Sequence, residues 1–116
     1  MNFPHPSDQA KEFFQSVLPL DSQITVRPMF GNVAGFVNGK MFSGLFGDDL
    51  FVKLDEKNRT ELLKISGTSI FEPMKGRKMK DYVVVPKSWF GKPEKVKPWI
   101  IKSLAVAEKL SKKSKK

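Results

Sequence analysis

Hydrophobic and polar positions change rhythm along this chain, and the changes mark its elements. Ala10, Phe13, Phe14, Val17 and Leu18 recur at steps of three and four, which predicts one apolar stripe on a helix. Ser7 precedes the stripe as an N-cap, Asp8 suits the positive helix end, and Pro19 stops it. Ile24 to Met29 then reads as a short strand. Its Pro28 cannot donate to a ladder, so the strand lies at a sheet edge or ends there. Met29 to Leu54, MFGNVAGFVNGKMFSGLFGDDLFVKL, predicts three antiparallel strands. Asn38-Gly39 supplies the two positive-φ positions of a type I′ turn, and Gly47-Asp48-Asp49 is a looser second turn.

A two-residue loop at Asn38-Gly39 pairs Val37 with Lys40, Phe36 with Met41, Gly35 with Phe42 and Ala34 with Ser43. Strict alternation then puts Ala34, Phe36, Met41, Leu45, Leu50, Val52 and Leu54 on one face, the better core candidate. The other face carries Val33, Gly35, Val37, Lys40, Phe42, Gly44, Phe46, Phe51 and Lys53. Phe42, Phe46 and Phe51 on that second face have two readings. They cover strand glycines, or they form a sticky surface that seats a partner, most simply a second copy of the chain.

Asp55 caps a second helix from Glu56 to about Ile65, with Leu62 and Leu63 on its stripe and Gly67 just past its end. Thr68 to Pro73 is a loop or a short extended piece with Ile70 and Phe71 buried. Gly76 marks a turn, and Tyr82 to Val85 is a β-branched and aromatic strand ended by Pro86. Two helical turns follow, around Trp89 and over Pro93 to Val96. Pro98 suits the first position of a last helix, Trp99 to about Leu110, with Trp99, Ile100, Leu104, Ala107 and Leu110 inward. The fold class is α+β: two layers, an antiparallel sheet of about five strands with helices on one face. Residues 1–110 form one domain, and 111–116, SKKSKK, read as a basic disordered tail.

Charge sharpens this picture. The chain of 116 residues carries a net charge of +9. Residues 1–74 hold seven Lys and Arg against nine Asp and Glu, whereas 75–116 hold fourteen against three. That asymmetry points to an anionic partner or a solubilising tail. Cysteine is missing, which rules out disulfides, thiolate nucleophiles and thiolate zinc sites and suits a reducing cytoplasm. The start MNFPHPSDQA is not a secretory signal, and no stretch is long and apolar enough to span a membrane.

The candidate chemistry is sparse. GFVNGKMF glances at a phosphate loop, but its glycine spacing is short and Met41 stands where Ser or Thr would hold magnesium. His5 has no nucleophile context, and Asp48-Asp49 lacks further ligands at loop spacing. No catalytic, cofactor or metal residues are assigned. The best anion-binding candidates are Lys75, Arg77, Lys78 and Lys80, in the turn before Tyr82. Lys87, Lys92, Lys95 and Lys97 follow, with Trp89 and Phe90 interleaved. Basic plus aromatic is what single-stranded nucleic acid grooves use; a solvated loop with Trp89 in the core is the plainer alternative.

One combination of residues goes further. Met29-Phe30-Gly31, Gly39-Lys40-Met41-Phe42, Leu54-Asp55 with Asn58-Arg59, Phe71-Glu72-Pro73, Gly76-Arg77 with Met79, Tyr82, Val85-Pro86, Trp99, Ala105 and Ala107 together resemble the TfoX/Sxy N-terminal domain family of bacterial proteins. The resemblance implies a secretion-chaperone-like α+β fold and a non-enzymatic role. Full-length members are regulators of natural competence that act as transcriptional co-activators with the cyclic-AMP receptor protein, and they carry a second, helical domain. It supplies no catalytic residues. The expected function is therefore a small cytoplasmic regulatory protein that binds another protein or itself. Direct nucleic-acid binding is the alternative, and a ligand carrier or enzyme with a pocket between helix and sheet is the third reading.

Overall fold

The computed structural model describes residues 5–19, 23–29, 32–74 and 76–114. Its elements run α1 (Asp8–Val17), β1 (Ile24–Met29), β2 (Asn32–Val37), β3 (Lys40–Phe46), β4 (Asp49–Lys53), α2 (Glu56–Leu63), β5 (Ser69–Met74), β6 (Arg77–Val84), a 3₁₀ turn (Lys87–Trp89) and α3 (Pro93–Ser114). The expected α+β class is what forms. The strands make one open sheet in the order β1-β2-β3-β4-β6-β5, antiparallel at every step. It has six strands rather than five, because Ser69–Met74 pairs with β6. The two edges are β1 and β5, and each holds a proline, Pro28 and Pro73. A residue without an N–H is tolerated there because one side of an edge strand has no ladder to complete.

The β2–β3 hairpin turns where the sequence predicts, with Asn38 at φ 51° and Gly39 at φ 80°. Its pairing then departs from strict alternation. Phe36 faces Met41, but Gly35 faces Ser43, so Phe42 is an extra residue in β3. Such a bulge puts two neighbours on one face. Phe42 thereby joins Leu45, Leu50, Val52 and Val37 in the main core, while Met41 and Phe46 lie with the opposite cluster. The sequence-based faces were thus mixed: Val37 and Phe42 belong to the core face, and Phe36 and Met41 do not pair with it. Gly35 is the cause on β2. A Cβ there would lie 3.1 Å from the Phe42 ring, so the ring fills the space a side chain would need.

All three helices bury their stripes on this same face. Phe14 and Val17 of α1, Leu62 of α2, and Val96, Ile100, Leu104 and Ala107 of α3 share one cluster with the strands. Caps fix the helix starts. Ser7 Oγ accepts from Ala10 N–H at 3.1 Å and Asp55 Oδ1 from Asn58 N–H at 2.9 Å. Asp48 Oδ1 accepts from Ser7 N–H at 3.0 Å, which ties the start of α1 to the β3–β4 turn.

α3 begins at Pro93, five residues before the predicted start, so Pro98 lies inside the helix. Its missing N–H costs one bond to the carbonyl of Glu94. Both residues are exposed, and Val96 and Ile100 on the opposite side are fully buried, so packing carries the helix through the break. The helix runs to Ser114, into the stretch read from the sequence as a disordered tail; Lys115 and Lys116 lie outside the described residues.

Candidate functional site

The face of the sheet away from the helices is closed by its own side chains. Arg27, Ala34, Gly44 and Phe51 oppose one another across β1 to β4. A Cβ at Gly44 would meet the Phe51 ring at 2.7 Å, so that ring lies flat across β3. Phe71 stacks on Phe51 with centroids 4.2 Å apart and planes 14° apart. Tyr82 meets Phe51 edge-on at 5.5 Å, and Phe46 meets Phe71 edge-on at 5.6 Å. Phe71 reaches Phe51 although β6 separates their strands by about two strand spacings, near 10 Å. It can do so because the β5–β6 pairing jumps from Val83 at Ile70 to Met79 at Phe71, a break that curls β5 over the sheet.

These rings are interior. Phe51 is 2 % exposed, Phe71 5 % and Tyr82 7 %. Burial, reinforced by the Asp81 carboxylate beside it, pushes the Tyr82 hydroxyl up to about 12. Of the three phenylalanines proposed as a partner surface, Phe42 is wholly buried under the helices and Phe51 under Phe71, so neither offers a surface. Only Phe46 is half-exposed. The reading in which the rings cover strand glycines fits both: Phe42 over Gly35, Phe51 over Gly44.

The basic candidates are placed differently. Lys75 lies outside the described residues. Arg77, Lys78 and Lys80 are exposed on the first half of β6, a strand and not a turn. Trp89 and Phe90 follow the other end of β6 and pack half-buried against the main core, Phe90 tilted on Phe13 at 5.1 Å. The fold thus parts Arg77, Lys78 and Lys80 from Trp89 and Phe90, while Lys87 and Lys92 stay beside those rings in the chain. The rings of the outer face, Phe46, Phe51, Phe71 and Tyr82, contact one another. Lys53 Nζ sits 5.4 Å over Tyr82 and the Arg27 guanidinium 5.3 Å over Phe36, which uses those ring faces too.

Among the described residues three buried polar side chains remain, and each makes a hydrogen bond to the backbone. Asn32 Oδ1 accepts from Gly47 N–H at 2.7 Å, and Ser43 Oγ donates to the Phe51 carbonyl at 2.6 Å. Ser103 on α3 accepts from Lys53 N–H at 3.0 Å and donates to the Phe42 carbonyl, bridging β4 and β3 just beyond their Ser43–Val52 pair. Ser103 falls in step with the buried positions Val96, Ile100 and Ala107, so a polar residue on an apolar stripe was its visible signal.

Lys40 is exposed at the hairpin, opposite Val37, with no phosphate-loop geometry around it. Asp49 pairs with Lys87 at 3.8 Å in an exposed cleft lined also by Ser66, Gly67 and Ser88. Arg59 pairs with Asp81 at 3.1 Å. Among the described residues no three His, Cys, Asp or Glu side chains converge as metal ligands, and no helix is long and apolar enough to cross a membrane.

A surface missed by sequence reasoning lies between α1 and α3. A groove of about 610 Å³ is lined by Gln15, Ser16, Val17, Leu18, Pro19, Lys97 and Ile101. Ile101 is 54 % exposed, the most exposed large hydrophobic side chain among the described residues. The signal was an isoleucine outside the buried stripe, between Lys97 and Lys102.

The family comparison covers most of this architecture. The profile of the TfoX N-terminal domain matches residues 14–107. The chain belongs to the TfoX N-terminal domain family. No curated protein and no solved structure matches it significantly. The TfoX N-terminal domain match takes in all six strands, α2, the last turn of α1 and most of α3, so both the self-closed face and the α1–α3 groove fall within it.

Proposed function

We propose that this TfoX N-terminal domain is a non-enzymatic regulatory module that works by holding another protein against its surface. The observation that carries the reading is the use of its interior polar groups. Asn32, Ser43 and Ser103 are all committed to backbone hydrogen bonds that keep strands and α3 together. The ion pairs Lys87–Asp49, Lys64–Glu61 and Arg59–Asp81 lie at the surface, where such pairs contribute little more than shape. What the fold presents outward is a rigid two-layer body with a basic second half. Family membership supports a regulatory setting of the transcription and competence kind, in the cytoplasm.

The separation of Arg77, Lys78 and Lys80 from Trp89 and Phe90 along β6 favours a protein partner over nucleic acid. Affinity capture of the tagged chain from its native extract, with and without nuclease, tests this. A stoichiometric protein that stays after nuclease is the expected result. Capture that disappears with nuclease would overturn it in favour of nucleic acid. In that case binding through Arg77, Lys78 and Lys80 should weaken with salt at a log–log slope of about −2 to −3.

A further inference from the structure

The two edges of the sheet are not alike. β5 breaks register twice along β6 and curls over the sheet, so it offers no straight row of backbone groups. β1 pairs with β2 over all six of its residues without a break, and Thr25 to Pro28 are exposed. The register fixes where the backbone groups of β1 point. Val37 and Lys40 flank the two-residue turn, so they bond to each other, and every second residue of β2 bonds to β3. That leaves Phe36, Ala34 and Asn32 to bond to Thr25, Arg27 and Met29. The N–H and C=O groups of Ile24 and Val26 therefore point away from the sheet, as does the C=O of Pro28. Among the described residues no turn, loop or cap takes these groups up.

We infer that β1 is a self-pairing edge, on which a second copy of this chain docks its own β1 antiparallel about a two-fold axis at Val26. This goes beyond the partner-binding reading and does not depend on it. The outward-facing stretch from Ile24 to Pro28 is centred on Val26, so the axis sets Val26 against Val26 and Ile24 against Pro28. Every outward N–H then meets a carbonyl, and only the Ile24 carbonyl at each end is left to water. Side chains match as well. Ile24 packs against the main core, so Val26, 37 % exposed, lies on the helix side and meets its own copy there. On the outer side Arg27 falls opposite Thr25 of the second copy, so the two guanidiniums do not face each other. Long-range charge agrees. Residues 1–74 hold seven Lys and Arg against nine Asp and Glu, and the exposed cations of β6 lie four strand spacings from β1, roughly 19 Å. Joining at β1 keeps those cations apart. Pro28 withholds one donor at each end of a short contact, which keeps the dimer weak and reversible.

Sedimentation equilibrium of the whole chain tests this. The average mass should climb from one chain toward two as concentration rises from about 10 µM to about 1 mM. Val26→Pro removes the central N–H from both copies and should hold the mass at one chain throughout. It should melt close to wild type, because that N–H has no partner within the chain. Pro28→Thr returns the two withheld donors and should tighten the dimer by about fivefold or more. A wild-type chain that stays monomeric over the whole range would overturn the inference. So would Val26→Pro dimerising like wild type, or Pro28→Thr gaining nothing. If Val26→Pro does not fold, the wild-type and Pro28→Thr results decide.

Discussion

The two faces of the sheet are buried by different means. On one, three helices lay stripes of Phe14, Val17, Leu62, Val96 and Ile100 over Phe42, Leu45, Leu50 and Val52. On the other, no helix is present among the described residues, yet Phe51, Phe71 and Tyr82 are nearly as inaccessible. There the cover comes from β5, curled over at its register break, and from rings laid across Gly44. Polar burial differs as well. The helix face contains Ser43 and Ser103 with their backbone partners, while the outer face has the Tyr82 hydroxyl, whose bond to the Met41 carbonyl is long at 3.3 Å. A two-layer domain can thus close its second face without a third layer if large aromatics sit beside glycines.

If the self-closed face is as much a core as the helical one, truncating either should cost alike. Phe14→Ala and Phe51→Ala should each destabilise by about 3–5 kcal/mol in urea unfolding. A loss under about 1 kcal/mol for Phe51→Ala would reduce the outer cluster to surface decoration. Ser103→Ala comes next. It leaves Lys53 N–H and the Phe42 carbonyl without their partner on the helix face, for about 1–3 kcal/mol. Gly44→Ala should cost a similar ~1–3 kcal/mol by overpacking, since its methyl meets both the Phe51 ring at 2.7 Å and the rigid Val33 carbonyl at 2.9 Å.

The pH dependence gives a smaller test, specific to the outer face. The folded state holds the Tyr82 proton more tightly than the unfolded chain does. Its contribution is therefore complete below pH 10 and is lost as pH rises toward about 12. Tyr82→Phe should flatten the fall in stability over that window, read by thermal melts; an unchanged pH profile would place the hydroxyl in water. The smallest effect belongs to the groove. Ile101→Asp should alter stability by less than about 0.5 kcal/mol, because the side chain is 54 % exposed. A larger loss would mean that Ile101 belongs to the core and not to the surface.

Much of the fold was legible in local signals. The α1 stripe, the Ser7 and Asp55 caps, the Asn38-Gly39 turn and the Pro28 edge all depend on residues within a few positions of one another, and each formed as read. The candidate sites were less legible, because exposure is not a local property. Phe42 and Phe51 look alike in sequence to a surface aromatic until the partner strand and the ring above are known. The cations on β6 and Trp89 look like neighbours until a strand extends between them.

The residue pattern by itself determined an antiparallel ribbon backed by helices, a basic second half and the family to which the chain belongs. Only the tertiary structure decided the faces. One extra residue at Phe42 reverses which side chains of the hairpin tip point inward, Val37 and Phe42 in place of Phe36 and Met41, while Leu45, Leu50 and Val52 stay on the face expected of them. It likewise decided that Ser103 bridges two strands and that Ile101 faces solvent, because both outcomes depend on what distant segments place opposite them.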